Sequence, residues 1–358
     1  MSGRRTRPGD AGGQIDNTDA DPGIEAGQSA PLTVRYAHIV AQNPCTTCNS
    51  TKYLRIFRQK LARISFSWPF ARTENKSSTY HIHPMPFDPT HIGEITVAPL
   101  SQLTPDGSWQ VELAHDLTES LLIWITRGQG RVFLNGQQRG FGPNSAIFVP
   151  VGTLWSLELG RQCIGQVMTI PASTPMDFPE SADTLRIPDA QDQAVINSMF
   201  QAMQAEQQDR PALWYRAMQA HGTLIAIHVR RLMAARNSTV SKPTAAQRLA
   251  QGYCGRIVEC YAQHASMADH AAALNVTPTH LTRVCKSETG KTAGALLTER
   301  QLHAARSLLI TSELPMRDIA ATLGFGSAAY FTRFITQHTG ETPSRLRKQA
   351  RDKLKRSA

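Results

Sequence analysis

The sequence predicts an α+β multidomain chain: a small antiparallel β unit, then a helical segment, then an all-α module built from two similar halves. Three observations carry that expectation. β-prone runs recur about every ten residues across 92–170, separated by Gly, Pro and Asn. Helical periodicity takes over near residue 190. Close to the C-terminus the chain repeats itself at an offset of 50 residues. The 358 residues suffice for two or three domains, and 41% hydrophobic with 18% charged residues fits a globular chain. No apolar run reaches the roughly 18–20 residues that a membrane-spanning helix needs, so no membrane partner is expected.

Residues 1–31 are rich in Gly, Asp, Gln and Ser and offer little to bury, so disorder is expected there. Arg4, Arg5 and Arg7 have no apolar run behind them, so no secretory leader is expected. Between 32 and 84, clusters such as Tyr53–Phe57 and Ile64–Trp68 lack a steady period. Met85 opens the stretch that reads as folded protein, which makes it an alternative start and 1–84 a disordered or non-native extension. Cys45 and Cys48 with His81 and His83 are zinc-ligand types, but the gap between the pairs is long for a zinc site. Six cysteines in a chain of this length make no disulfide framework, consistent with a cytoplasmic location.

The β unit is expected over 85–188. Leu121–Ile125, Arg131–Leu134 and Ala146–Val149 read as strands, and Asn135-Gly136 is a hairpin signal between two of them. Ile123, Ile125, Val132, Leu134, Phe148 and Trp155 could line an apolar effector cavity or serve as ordinary core. Both readings stay open. His115, Asp116 and Glu119 are metal-ligand types, yet the later strand offers Trp155 and Glu158 without a His. No catalytic residue, metal or cofactor is therefore expected, and His115 is placed on a surface loop. A helical segment over 189–236 follows. Val195, Ile196, Met199 and Met203 form one apolar stripe; after a break at Pro211, Trp214, Met218, Leu224, Ile225, His228 and Leu232 form another. Residues 237–244 read as a polar linker, 245–350 as the repeated module and 351–358 as a basic tail.

The repeat is the most informative feature. Leu281, Thr282 and Arg283 recur as Phe331, Thr332 and Arg333, and Gly290 and Thr292 recur as Gly340 and Thr342. Upstream the offset becomes 49, one residue being inserted in the second copy's turn: Asp269, Ala271, Ala272 and Leu274 recur as Asp318, Ala320, Ala321 and Leu323. Each copy reads as helix, turn, helix. Ser266 with Asp269 resembles a capping box, and Thr277-Pro278 opens the second helix of the first copy. Pro315, Gly324 and Ser327 punctuate the second copy in the same manner. The second helix of each copy has an apolar face and an outer face of small polar residues plus arginine. Such a face suits a DNA major groove, where Arg bonds guanine O6 and N7. Between the copies, Leu296, Arg300, His303, Arg306 and Leu309 lie on one continuous helix of roughly 25 Å. Charge agrees: the net values are +5 over 1–85, −3 over 86–244 and +8 over 245–358.

These residues resemble the DNA-binding domain of AraC-type transcriptional regulators. The second copy carries most of the likeness: Ile319–Phe325, Tyr330–Phe334 and Gly340–Arg347. Leu346-Arg347 stands where the family closes on Tyr-Arg, and Ile335-Thr336 replaces a Lys-containing pair. The resemblance implies two helix-turn-helix units joined by a long helix. The DNA-facing set is then Thr279, Thr282, Arg283 and Lys286 in the first copy, and Ser327, Ala329, Thr332 and Arg333 in the second. More weakly, Gly128–Val132 and Gly142–Pro150 resemble a cupin-like effector barrel, with Trp155 where metal-binding cupins commonly carry His. The implied partners are double-stranded DNA, a small-molecule effector, RNA polymerase and a second copy of the chain, with 189–236 as the dimerisation element. The expected function is a sequence-specific regulator, an effector-responsive activator by analogy, and not an enzyme. A non-specific architectural DNA-binding protein and a cupin-type enzyme with a DNA-binding appendage are the alternatives.

Overall fold

The computed structural model describes residues 94–174, 176–179, 181–236, 242–263 and 265–357. The expectations for 1–84, including the Met85 start and the Cys45/Cys48/His81/His83 set, lie outside them, as does most of the 237–244 linker. Among the described residues eight strands form two antiparallel sheets, and a short helix, α1 (Trp109–Glu112), lies between the first two strands. β1 (Thr96–Pro99), β2 (Glu119–Arg127), β5 (Ser145–Val149), β7 (Ile164–Pro171) and β8 (Asp183–Arg186) make one, in the order β1-β7-β2-β5-β8. β3 (Gly130–Leu134), β4 (Gln137–Phe141) and β6 (Trp155–Leu159) make the other, in the order β4-β3-β6. Asn135 and Gly136 both take positive φ at the β3–β4 turn, as a two-residue hairpin requires.

Side-chain alternation sorts two cores. Leu121, Ile123 and Ile125 point between the sheets, where they meet Val132, Leu134, Phe141, Ile147, Trp155 and Leu157. Leu122, Trp124, Phe148 and Met168 point the other way, onto α2 (Ala190–Asp209) and α3 (Trp214–Arg236). The register fixes this division: Ile123 pairs with Ile147, and Leu122 pairs with Phe148. Phe148 thus stands apart from the other five proposed cavity residues and stacks on Phe178. The five-stranded sheet is covered on both faces, so its strands read as continuous apolar runs rather than as an alternation.

The two helices are tied down by polar bonds as well as by packing. The Trp124 indole donates to Asn197 Oδ1 at 2.8 Å. The Gln207 amide bonds both the N–H and the C=O of Val97, satisfying edge-strand backbone. The buried stripe on α2 is Ile196, Phe200 and Met203. On α3 it is Met218, Ile225, Val229 and Met233. Leu224, expected on that stripe, is 51% exposed: one residue is a turn of about 100°, and burial of Ile225 swings its neighbour outward.

The C-terminal module comprises α4 (Ala245–Cys260), α5 (Met267–Ala273), α6 (Pro278–Thr289), α7 (Ala293–Thr311), α8 (Met316–Thr322), α9 (Ala328–Thr339) and α10 (Pro343–Ser357). The basic residues set apart as a tail continue α10. Among the described residues no helix is long and apolar enough to cross a membrane.

Candidate nucleic-acid interface

The first half of the module is α5, a turn and α6. The Ser266 side chain accepts from the Asp269 N–H while the Asp269 carboxylate accepts from the Ser266 N–H, so the capping box is complete. The Ser266 hydroxyl also donates to that carboxylate and, with the Ser266 N–H, holds the Asp269 carboxyl below the usual carboxylate range. Asn275 takes the left-handed conformation in the turn, Thr277 caps α6 through the His280 N–H, and Pro278 follows the cap. The second half repeats the plan: Pro315 precedes α8, Gly324 ends it, and Ser327 caps α9 through the Tyr330 N–H. Gly324 has φ +74°, and a Cβ there would stand 2.2 Å from the Ala262 carbonyl oxygen. Only glycine fits that corner.

α6 and α9 are two-faced. Leu281, Val284 and Cys285 are buried on one, and Phe331, Phe334 and Ile335 on the other. Thr279, Arg283 and Lys286 are exposed on α6, with Thr282 half-buried between them. Ser327, Ala329 and Arg333 are exposed at the second unit, with Thr332 half-buried. All eight residues expected at DNA therefore lie at the outer faces or caps of these two helices. Thr279, Thr282, Arg283, Lys286 and Ser287 help line an open notch of about 770 Å³ beside α6. Lys286 Nζ donates to the Gly290 carbonyl at 2.8 Å, placing its cation at the helix C-terminus, where the macrodipole favours it. Cys254, Cys260 and Cys285 are buried on α4 and α6. Burial pushes the Cys254 and Cys285 thiols up, so both stay neutral and pack as small apolar groups.

The connecting helix α7 faces the β unit. Ala114, Phe133 and Leu154 enter the core of the first helix-turn-helix unit, beside Tyr253, Ile257, Leu281 and Leu296. Leu113 packs on the core of the second, beside Leu302 and Phe331. Polar contacts follow one stripe of α7. Glu299 accepts from the Ala114 N–H at 3.1 Å. Arg300, on the buried side, pairs with Asp116 and lies over the Tyr261 ring at 3.7 Å. His303 stacks on His115, with ring centroids 3.9 Å apart and planes 8° from parallel. Arg306 lies over the Trp109 ring at 4.2 Å. From α10, Lys353 reaches the Pro105 carbonyl and the Asp106 carboxylate. At the far edge, the Gly136 turn abuts α4: a Cβ there would stand 2.9 Å from backbone atoms of Ala250 and Gln251.

His115 is thus not on a surface loop; it is 3% exposed. Its Nδ1 lies 2.8 Å from the Leu113 carbonyl, and His303 Nε2 lies 3.1 Å from the Gln110 carbonyl. A carbonyl only accepts, so those two nitrogens carry the protons. Burial, with the Arg300 guanidinium nearby, pushes His115 down to about 4. Burial, the facing His115 and Arg300 hold His303 well below the ordinary imidazole range. Asp116 is held by Arg300, and among the described residues no three His, Cys, Asp or Glu side chains converge as metal ligands. Ile123, Ile125, Val132, Leu134 and Trp155 come together between the sheets, packed against one another.

Residues 270–349 match the family model described as a helix-turn-helix domain. Over 75 residues the chain is 32% identical to the bifunctional transcriptional activator/DNA repair enzyme AdaA of Bacillus subtilis (strain 168), covering 21% of this chain and 36% of that protein. Over 68 residues it is 37% identical to the probable transcription factor PqrA of Proteus vulgaris, covering 19% of this chain and 56% of that protein. The chain thus spans about a third of one relative and just over half of the other. Among solved structures, ToxT from Vibrio cholerae O395 is 14% identical over 71% of this chain and 96% of that chain, with a TM-score of 0.37. The C-terminal domain of AraT, a response regulator from Geobacillus stearothermophilus, is 27% identical over 30% of this chain and 88% of that chain, with a TM-score of 0.28.

Proposed function

We propose that this chain, whose C-terminal module belongs to the AraC-type helix-turn-helix domains, is a sequence-specific regulator that reads two successive major grooves and responds to an effector. One observation carries the reading. Two capped helices, each anchored by a buried apolar face, present a guanidinium at the same place, Arg283 on α6 and Arg333 on α9. Small neighbours (Thr279, Thr282, Ala329, Thr332) let the backbone approach base edges, and arginine supplies a fork matched to guanine. The connecting helix has 19 residues, about 28 Å at 1.5 Å each, a span on the scale of the roughly 34 Å between successive grooves. Basic residues of α10 add sequence-independent attraction to phosphate. Selection from a random duplex library tests the reading. The expected outcome is a bipartite site whose two blocks lie one helical turn apart; uniform recovery of all sequences would instead favour an architectural role.

The effector response is supported by the joint between the β unit and α7. An effector that altered the β unit would act on residues touching both helix-turn-helix cores, and so on the population competent for DNA. Activation, contact with RNA polymerase, and dimerisation through α2 and α3 belong to the same proposal. Leu213, Tyr215 and Leu224 are exposed apolar groups at these helices, as a self-association surface would require. Sedimentation of the wild type against Leu224→Glu checks that element: the expected result is a dimer for the former and a monomer for the latter.

A further inference from the structure

The two helix-turn-helix units have matching frames but unlike outer chemistry. On α6, the position after Thr279 is His280, exposed and 3.3 Å through Nδ1 from Arg283 Nη2. With Arg283, Lys286 and Ser287 it makes a wholly polar, cationic surface. The equivalent position on α9 is Tyr330, 54% exposed and thus one of the larger apolar side chains on the molecular surface. Its ring is not loose. Phe325, in the turn before α9, lies against it with centroids 5.8 Å apart, and Phe325 is itself held by Phe331 and Phe334. Ala329 adjoins it. The threonines differ as well. Thr332 Oγ1 donates to the Ala328 carbonyl at 2.9 Å and Thr336 Oγ1 to the Thr332 carbonyl at 2.8 Å. Hydroxyl protons committed to the helix backbone leave a methyl group and an acceptor lone pair for any ligand. Lys286 has Thr336 as its counterpart, so one cation of the α6 face is missing from α9.

We propose that the two units read chemically different half-sites, and that α9 recognises thymine C5-methyl groups through Tyr330 and Ala329, with Arg333 as its guanine reader. α6, through Arg283 and Lys286, takes a half-site dominated by guanine acceptors. The major groove offers this distinction directly: of the four bases thymine alone presents a methyl there, and apolar side chains contact it. Tyr330 is then a specificity-determining residue. The operator is directional, because a chain bound in reverse would set a cationic face on methyl groups and an aromatic face on guanine edges. The inference rests on the reading of α6 and α9 as base readers.

Deoxyuridine differs from thymidine only by that methyl. In the site selected by the wild-type chain, the half-site under α9 is identified as the one whose preference relaxes in Arg333→Ala. Replacing its thymines by deoxyuridine, one at a time, is expected to weaken binding about fourfold at each contacted methyl. The same replacement under α6 is expected to leave affinity unchanged. Tyr330→Ala should abolish the deoxyuridine penalty, Tyr330→Phe should keep it, and His280→Ala should leave it untouched. A selected site in which deoxyuridine is neutral under α9, or a penalty that survives in Tyr330→Ala, overturns this inference and leaves the base-reading role standing. Failure to select any site sinks both.

Discussion

Two pairs of helical arginines in the C-terminal module, Arg283 with Arg333 and Arg300 with Arg306, behave differently. Arg283 and Arg333 stand on outer faces, with small or half-buried neighbours and open solvent before them. Arg300 and Arg306 lie on the connecting helix and face the β unit, one held by Asp116 there and by Tyr261 of the module itself, the other by Trp109. On the proposed reading the same side chain serves recognition in one setting and assembly in the other. What decides is whether a carboxylate or an aromatic face lies within reach and whether water is excluded. An arginine count for the module therefore says little about DNA affinity; position on each helix says more.

The comparison can be broken hardest at the Asp116–Arg300 pair. Asp116→Ala removes the carboxylate that faces the buried Arg300 guanidinium, and a loss of about 3–5 kcal/mol in stability is expected by urea denaturation. If Arg300 were merely a surface charge, the loss would stay under about 1 kcal/mol. Acid should strike the same joint next. His115 is neutral when folded, with its value pushed down to about 4 from the ordinary 6.5. Below 6.5 the unfolded chain takes the proton first, so stability present above that pH is lost as pH falls toward 4. The loss approaches about 3 kcal/mol. Denaturation midpoints at pH 7 and pH 5, compared for wild type and His115→Gln, measure it: the variant should show the shallower dependence.

The two arginines proposed as base readers should behave in the opposite manner. Arg283→Ala and Arg333→Ala are each expected to cost about 1–3 kcal/mol in specific affinity while leaving the thermal midpoint unchanged. Gel-shift titration on specific and scrambled duplexes separates the base contact from general attraction to phosphate. The smallest effect is expected at the cap: Ser266→Ala should lower stability by about 1 kcal/mol, seen in denaturation, and lower DNA affinity only through that loss.

Local chemistry explains which features were legible in the sequence. Capping at Ser266, Thr277 and Ser327 and the turns at Asn135-Gly136 and Gly324 depend on bonds within a few residues, and the structure has each where the sequence puts it. The outer faces of α6 and α9 followed from helical spacing combined with the internal repeat. Contacts across layers were not legible. Nothing local tells that His115 is roofed by His303, almost two hundred positions away, or that both faces of β5 are covered, which sends Phe148 to the helices instead of joining Ile147 between the sheets. The period Arg300, His303 and Arg306 was visible; Glu299 and the partners of all four before β2 were not.

The way the β3–β4 turn presses on α4, with Phe133 and Leu154 seated among the residues of the first helical unit, has a practical corollary. The covalent bridge across 237–241 is not what keeps the sheets and the helical module together. A protease that nicks that bridge should release no fragment: the two pieces would elute from a sizing column as one particle and come apart only in denaturant.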